Sequence, residues 1–309
     1  MNKRVAILLL SVFIARSAMA VLPYYTGARA EGMGGAYTSV SDDSSALFYN
    51  PAGLTNMDKK ELSAMYWQDY FGTSYSCLSC ALPEESWGGL AAGWARTSND
   101  FEKTNVGGDV TGQGQVSNDV FMLGAGYSRG LPVSLGVTAK FIGEKIDTFS
   151  ASGWAVDAGS FVEFRPLRIG IVFQNAVSGG LTGNSIAGGT VNEKLPSTIR
   201  LGLSLSNSVN CKIRPAGEMK TCSSADKLNL RYTIAADLAV PVNTAGTYTV
   251  SPGAELWLND AIAVRLGYKD STDFTAGLSL KYCSLRLDYA FIMSKELENS
   301  NLFSVSMFF

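Results

Sequence analysis

Along most of this chain apolar and polar residues change places at every step, and the charges keep to one face. Ile199, Leu201, Leu203 and Leu205 alternate with Arg200, Gly202 and Ser204. Leu228, Leu230, Tyr232, Ile234, Ala236 and Leu238 alternate with Asn229, Arg231, Thr233 and Asp237. Ile262, Val264, Leu266 and Tyr268 alternate with Arg265, Gly267 and Lys269, and Leu285, Leu287, Tyr289 and Phe291 with Arg286 and Asp288. A strand sends successive side chains to opposite faces, so each segment is a strand with one apolar and one charged side. Fourteen such segments are expected, at about 61–68, 72–82, 86–97, 118–129, 132–144, 153–164, 167–176, 197–207, 227–240, 247–258, 260–269, 271–282, 283–293 and 300–309. A wet-faced soluble sandwich gives the same alternation, with the charges outside.

The two ends of the chain favour a barrel in lipid. The last segment places Phe303, Val305, Met307 and Phe309 on one face and Ser304 and Ser306 on the other, with Phe308 the exception. An apolar outer face and a final Phe are features of bacterial outer-membrane barrels, and this strand is where the barrel-assembly machinery would engage the chain. At the other end, residues 1–20 have the form of a secretory signal: Lys3 and Arg4, an apolar run from Val5 to Ile14, then Ala18-Met19-Ala20. The run is too short to span a bilayer as a helix, which takes about 20 apolar residues. The expected fold is therefore all-β: a transmembrane antiparallel barrel of about fourteen strands over 61–309. An even count puts both ends of the barrel on one side. The expected partner of its outer face is outer-membrane lipid, in a diderm envelope.

Removing 1–20 takes away Lys3, Arg4 and Arg16 but no acid, moving the net charge from −2 to −5. The acidic balance offers nucleic acid no partner surface. Histidine is absent, which excludes Ser-His-Asp and Cys-His catalysis and any His-containing zinc site. No catalytic residue, metal or cofactor is expected. Of five cysteines, Cys211 and Cys222 share one polar loop and are candidates for a disulfide. Cys77 and Cys80 form a C-x-x-C inside a strand, where i and i+3 point to opposite faces, which argues against a redox or metal role. Cys283 has no evident partner.

With the first strand rising from the periplasm, 98–117 and 177–196 are expected as long polar outer loops, and Gly130-Leu131, Arg165-Pro166 and Asn259-Asp260 as short periplasmic turns. The loop at 208–226 is long yet falls on the periplasmic side. Residues 21–60 do not alternate. They carry a glycine-rich run, Gly27 to Ala36, a short helical stretch at 42–49 that Ser41 or Asp42 would cap, and Asn50-Pro51-Ala52-Gly53-Leu54. Gly32-x-Gly34 has neither the strand nor the βαβ unit that a dinucleotide site requires. A fourteen-stranded barrel is wider than its own side chains can fill, so 21–60 is expected as a compact hatch inside it.

Gly27 through Leu54, ending in Asn50-Pro51-Ala52, resembles the amino-terminal hatch of the FadL family of outer-membrane transporters, and most closely its PorV/PorQ-like branch. Gly153 to Gly159, Gln174-Asn175, Leu195-Pro196, Arg200-Leu201-Gly202 and Leu287 to Phe291 extend the similarity over the mature chain. The resemblance implies passive passage of long-chain fatty acids or other hydrophobic small molecules, bound near the hatch and released sideways at a kinked third strand. The shorter outer loops of this chain put an outer ligand groove in doubt. On this basis Asn50, Pro51 and Ala52 are the hatch motif. Met33, Phe48 and Leu54 are either the hatch's own small core, the favoured reading, or candidate residues of one wall of a ligand pocket. Gly88, Gly89 and Gly93 in the third strand either mark a lateral opening or make room for a crowded hatch. The alternative implied by the PorV-like branch is a secretion-linked component that binds exported proteins. An aqueous porin fits less well, because a hatch blocks the pore.

Overall fold

The computed structural model describes residues 26–309, apart from 70, 106, 129–132, 185–189, 213–226, 244–245 and 296–298. The expected signal segment and the Cys211–Cys222 pairing lie outside the described residues.

Fifteen strands follow a short helical segment. They are β1 (Glu61–Gln68), β2 (Ser74–Glu84), β3 (Gly88–Thr104), β4 (Val110–Tyr127), β5 (Val133–Ile146), β6 (Phe149–Phe164), β7 (Leu167–Asn184) and β8 (Thr190–Glu193). Then come β9 (Thr198–Lys212), β10 (Lys227–Pro241), β11 (Thr249–Trp257), β12 (Ile262–Lys269), β13 (Asp273–Tyr282), β14 (Leu285–Met293) and β15 (Ser300–Phe308). Each barrel strand pairs antiparallel with its neighbours, and β1 pairs with β15 from Glu61↔Phe308 to Tyr66↔Phe303. β7 pairs with β6 on one side and β9 on the other, which closes a fourteen-stranded barrel. β8 is a short addition at the tip of β7. Closure pairs every interior strand's backbone and leaves the barrel no edge.

The faces sort as the alternation demands. Leu78, Leu90, Leu123, Val137, Leu203, Leu266, Leu287 and Val305 point outward and are exposed, while Arg265, Arg286, Glu255 and Asp288 point inward and are buried. Exposed leucines outside and buried charge inside are the inverse of a soluble barrel. Slipping one strand by a residue would turn its Arg outward, at about 2–4 kcal/mol in mid-bilayer.

The wall is uneven. β4 and β7 have 18 residues each, β1 and β12 only 8. At about 3.4 Å per residue and a tilt near 40°, that adds roughly 25 Å of wall on the β3–β7 side. This corrects the expected outer loops. Much of 98–117 is strand, because β3 runs to Thr104 and β4 starts at Val110. Much of 177–196 is likewise β7 and β8. Above the apolar band both faces meet water, so the alternation that marks a strand disappears while the backbone ladder continues. A hairpin closes the first pair, where Asn105 Oδ1 accepts from the amides of Gly107 (2.8 Å) and Asp109 (3.0 Å).

Before β1 lie α1 (Ala28–Gly32), α2 (Ala46–Tyr49) and a 3-10 helix (Pro51–Asn56), all packed against the inner wall. The helical stretch begins later than expected. Neither Ser41 nor Asp42 caps it; instead Asp43 Oδ1 accepts from the amide of Ser45 at 3.1 Å. Pro51 ends α2 and opens the 3-10 turn.

Candidate functional site: the hatch and the lumen above it

The hatch meets the wall through glycines. A Cβ on Gly136 would overlap Ala52, one on Gly159 would overlap the Asn50 amide, and one on Gly253 or Gly267 would overlap Met33 and Gly34. At Gly170 it would lie 2.6 Å from the Thr38 carbonyl and at Gly202 2.8 Å from the Ser39 amide. These glycines come from six strands between β5 and β12, so a partial ring of bare wall lets backbone approach backbone. The sequence reading missed this ring. Its signal is a glycine on the charged face of one strand after another.

Polar contacts pin the hatch within this ring. Asn50 is fully buried; its Nδ2 donates to the carbonyls of Thr38 (2.7 Å) and Ser160 (3.3 Å), and its Oδ1 accepts from Ala52 (3.1 Å). Asp237 of β10 accepts the amides of Tyr37 and Thr38 at 3.1 and 2.9 Å. Lys269 of β12 donates to Glu31 at 2.6 Å, and the Tyr49 hydroxyl donates to the same carboxylate at 2.8 Å.

Beneath the hatch runs a buried chain of charges. Arg29 clasps Glu255 of β11 through two 2.9 Å hydrogen bonds and also reaches Asp42 and Asp43. Glu255 accepts from Arg265 at 2.6 Å, and Arg265 reaches Asp288 at 3.4 Å. Asp288 accepts from Arg286 at 2.8 Å, which returns to Asp43 (3.1 Å) and Glu61 (3.3 Å). Burial alone would raise the Asp43 carboxyl; the guanidinium groups of Arg29 and Arg286 outweigh it and hold it well below the usual carboxylate range. Burial and the Glu31 carboxylate push the Tyr49 phenol up, so it stays a neutral donor.

The expected inward arginines divide. Arg265 and Arg286 join this network, Arg200 bonds Gln174 at 3.1 Å, and Arg231 reaches the exposed Asp260 at 3.3 Å. Asp157 pairs with Lys140 at 2.6 Å instead. It also accepts the Asn175 amide at 2.7 Å, and Asn175 donates to the Pro196 carbonyl at 2.7 Å. Three of the motifs singled out in sequence thus meet at one bulge, where β7 slips its register against β6.

The candidate residues settle as follows. Met33 and Leu54 are fully buried between hatch and wall, and Phe48 retains 9% exposure. Gly88, Gly89 and Gly93 lie in continuous pairing with both β2 and β4, and β3 breaks register only at Lys103/Thr104. β3 therefore shows no register break at these three glycines. A Cβ on Gly89 would lie 2.8 Å from the Leu54 carbonyl and one on Gly93 2.6 Å from Leu47, so the hatch occupies the space. Gly88 also has φ of 144°, which only glycine adopts readily. Cys77 faces the lumen and Cys80 the other side, and no group of three His, Cys, Asp or Glu forms a metal site among the described residues.

Above the charges the inward face changes character. β1 reads Glu61, Ser63, then Met65 and Trp67; β14 reads Arg286, Asp288, then Ala290 and Ile292. β15 runs the other way, from Leu302 through Ser304 to Ser306. Cys77, Ala95, Val120, Met122 and Ile142 carry the apolar tier around β2 to β5, and Leu47 and Phe48 join it from the hatch.

This fold has counterparts among solved structures. The Pseudomonas putida toluene transporter TodX matches with a TM-score of 0.58 at 12% identity, over 92% of this chain and 98% of that one. The chain has the FadL fold. The CymD monoaromatic hydrocarbon channel (TM-score 0.55, 14% identity, 92% and 97% covered) and a Pseudomonas aeruginosa FadL homologue (0.53, 10%, 94% and 99%) share it. At such identities the FadL fold is what these proteins have in common with this chain. No protein-family model matches the chain, and no curated protein does.

Proposed function

We propose that this protein lies in the outer membrane of a diderm bacterium and passively conducts hydrophobic small molecules of the fatty-acid or hydrocarbon type. The observation that carries this reading is the apolar tier above the hatch. An aqueous pore needs a polar lining, whereas on the β14-to-β5 side Met65, Trp67, Val120, Met122, Ile142, Ile292 and Leu302 face inward and pack with Leu47 and Phe48 of the hatch, and the neighbouring Lys140 is closed off by its ion pair with Asp157. The hatch and its ion pairs stand across the direct route for water. The fold shared with TodX and CymD supports the same reading. The end where β1 begins and β15 stops is then the periplasmic one. Phe48 is the hatch residue offered to a ligand, while Met33 and Leu54 hold the hatch to the wall.

Mass spectrometry of molecules retained by the gently purified protein tests the ligand class; a fatty acid or related amphiphile is expected, and co-purifying exported proteins would favour the secretion-linked role instead. A sideways exit at Gly88, Gly89 and Gly93 is tested by fatty-acid uptake at matched surface levels. A Gly88→Val/Gly89→Val variant should lose uptake; unchanged uptake removes those glycines from the route.

A further inference from the structure

Phe308 breaks the alternation of the last strand, and its surroundings account for the break. Its ring lies on the inner side, at the mouth of the barrel beneath the hatch, with Lys281 Nζ 5.1 Å and the Arg286 guanidinium 5.3 Å from its centroid. Across the same mouth the Trp257 ring lies under Arg231, at 5.3 Å. Both rings border a cavity of about 540 Å³ whose hatch side is formed by Arg29, Val40 and Asp42.

The charges at this rim do not balance. Arg165 and Arg168 share Glu163, at 3.0 and 3.5 Å. Among the described residues Arg231 pairs with the solvent-exposed Asp260 alone. Lys281 lies over the Phe308 ring and forms no ion pair among the described residues. Among the described residues six cations line this cavity, Arg29, Arg165, Arg168, Arg231, Lys281 and Arg286, against three carboxylates, Asp42, Glu163 and Glu255, with Asp260 beside Arg231. Uncompensated cations gathered over two aromatic rings raise the local potential for an anion and leave apolar surface beside it.

We propose that the periplasmic mouth is a binding site for an amphipathic anion, a carboxylate or phosphate on an apolar body. Its head pairs with Arg231 and Lys281, and its body lies on Trp257 and Phe308. Arg29 and Asp42 form the hatch side of the same cavity, so the bound molecule touches the hatch directly. The site takes its name from the orientation given above, but binding to the purified barrel is independent of whether the protein conducts anything.

The test is titration calorimetry on the full protein in a neutral maltoside detergent, with phenyl phosphate, inorganic phosphate and phenol as probes. Phenyl phosphate should bind saturably, inorganic phosphate at least several-fold more weakly, and phenol not at all. Arg231→Gln/Lys281→Gln should weaken phenyl phosphate by tenfold or more, while Lys295→Gln, at the opposite end, leaves it unchanged. Heat-modifiable migration on gels establishes that each variant remains a folded barrel. Equal affinity in wild type and double variant, or no saturable heat for phenyl phosphate, overturns the proposal. In nanodiscs, loss of probe binding with phosphatidylglycerol but not phosphatidylcholine identifies the anion as a leaflet lipid. Retention in both identifies it as a soluble amphiphile. Loss in both, with binding kept in detergent, overturns the site.

Discussion

Replacing Arg29 by Met removes the cation that joins the hatch to β11. The side chain is 9% exposed and holds Glu255 with two hydrogen bonds, while also reaching Asp42 and Asp43. Breaking a buried pair from one side costs about 3–5 kcal/mol, because it strands the partner charge. Here the partners keep other cations: Glu255 retains Arg265, and Asp43 retains Arg286. The lower end of the range, about 3 kcal/mol, is the expected loss. At 1.4 kcal/mol per factor of ten, the hatch should open roughly a hundredfold more often. The strand ladders do not include Arg29, so the barrel keeps its own protection. Hydrogen exchange read by mass spectrometry separates the two. Amides of 27–57 should exchange about a hundredfold faster, with those of β3 to β7 unchanged. Unchanged hatch exchange, or faster exchange throughout the barrel, would refute the idea that this ion pair anchors the hatch to an independently stable wall.

Other outcomes follow from the same geometry. Gly136→Val should displace the 3-10 turn and expose 51–56 to protease, since the new Cβ overlaps Ala52; an intact cleavage pattern would count against the glycine ring. Asp43 is held below its unfolded value of about 3.9, so its contribution to hatch anchoring is complete above that pH and is lost as pH falls through the lower folded value. Hatch protection, taken relative to the intrinsic exchange rate at each pH, should therefore hold steady from neutral pH to about 5 and fall only below about 4. Spin labels at Leu201, Leu266 and Leu287 should respond to lipid-soluble quenchers and a label at Arg231 to water-soluble ones; equal responses would sink the orientation. Cys211 and Cys222 should map as one disulfide in the exported protein, worth roughly 2–3 kcal/mol by loop closure, and free thiols at both would rule it out.

The barrel was legible because an apolar outer face and a charged inner face impose a period of two, as in Leu266 against Arg265. Other features hide for physical reasons. The upper parts of β3 and β4 carry no such asymmetry, so 98–117 looked like loop although its backbone is paired. In β14, Ala290 and Ile292 alternate with Tyr289 and Phe291, and a strand apolar on both faces shows no alternation to mark a lumenal tier. The ion pairs of Arg29 with Glu255 and of Arg286 with Asp43 join residues more than 200 positions apart, which only the hatch's seat in the barrel brings together. The glycines of β3 looked like a kink or a clearance, and the local pattern is the same for both. Only the folded hatch shows that Leu54 and Leu47 lie against Gly89 and Gly93.

Uptake by whole cells tests the central claim most directly. Cells of a diderm host would carry wild type, Met65→Asp/Ile292→Asp or no protein, at matched surface levels, and be given a labelled fatty acid, a monoaromatic hydrocarbon and a small sugar. Wild type should speed the first two over cells lacking the protein and leave the sugar unchanged, and the variant should return both to background. Faster sugar uptake, or hydrophobic uptake equal in all three strains, would contradict passage through an apolar lumen.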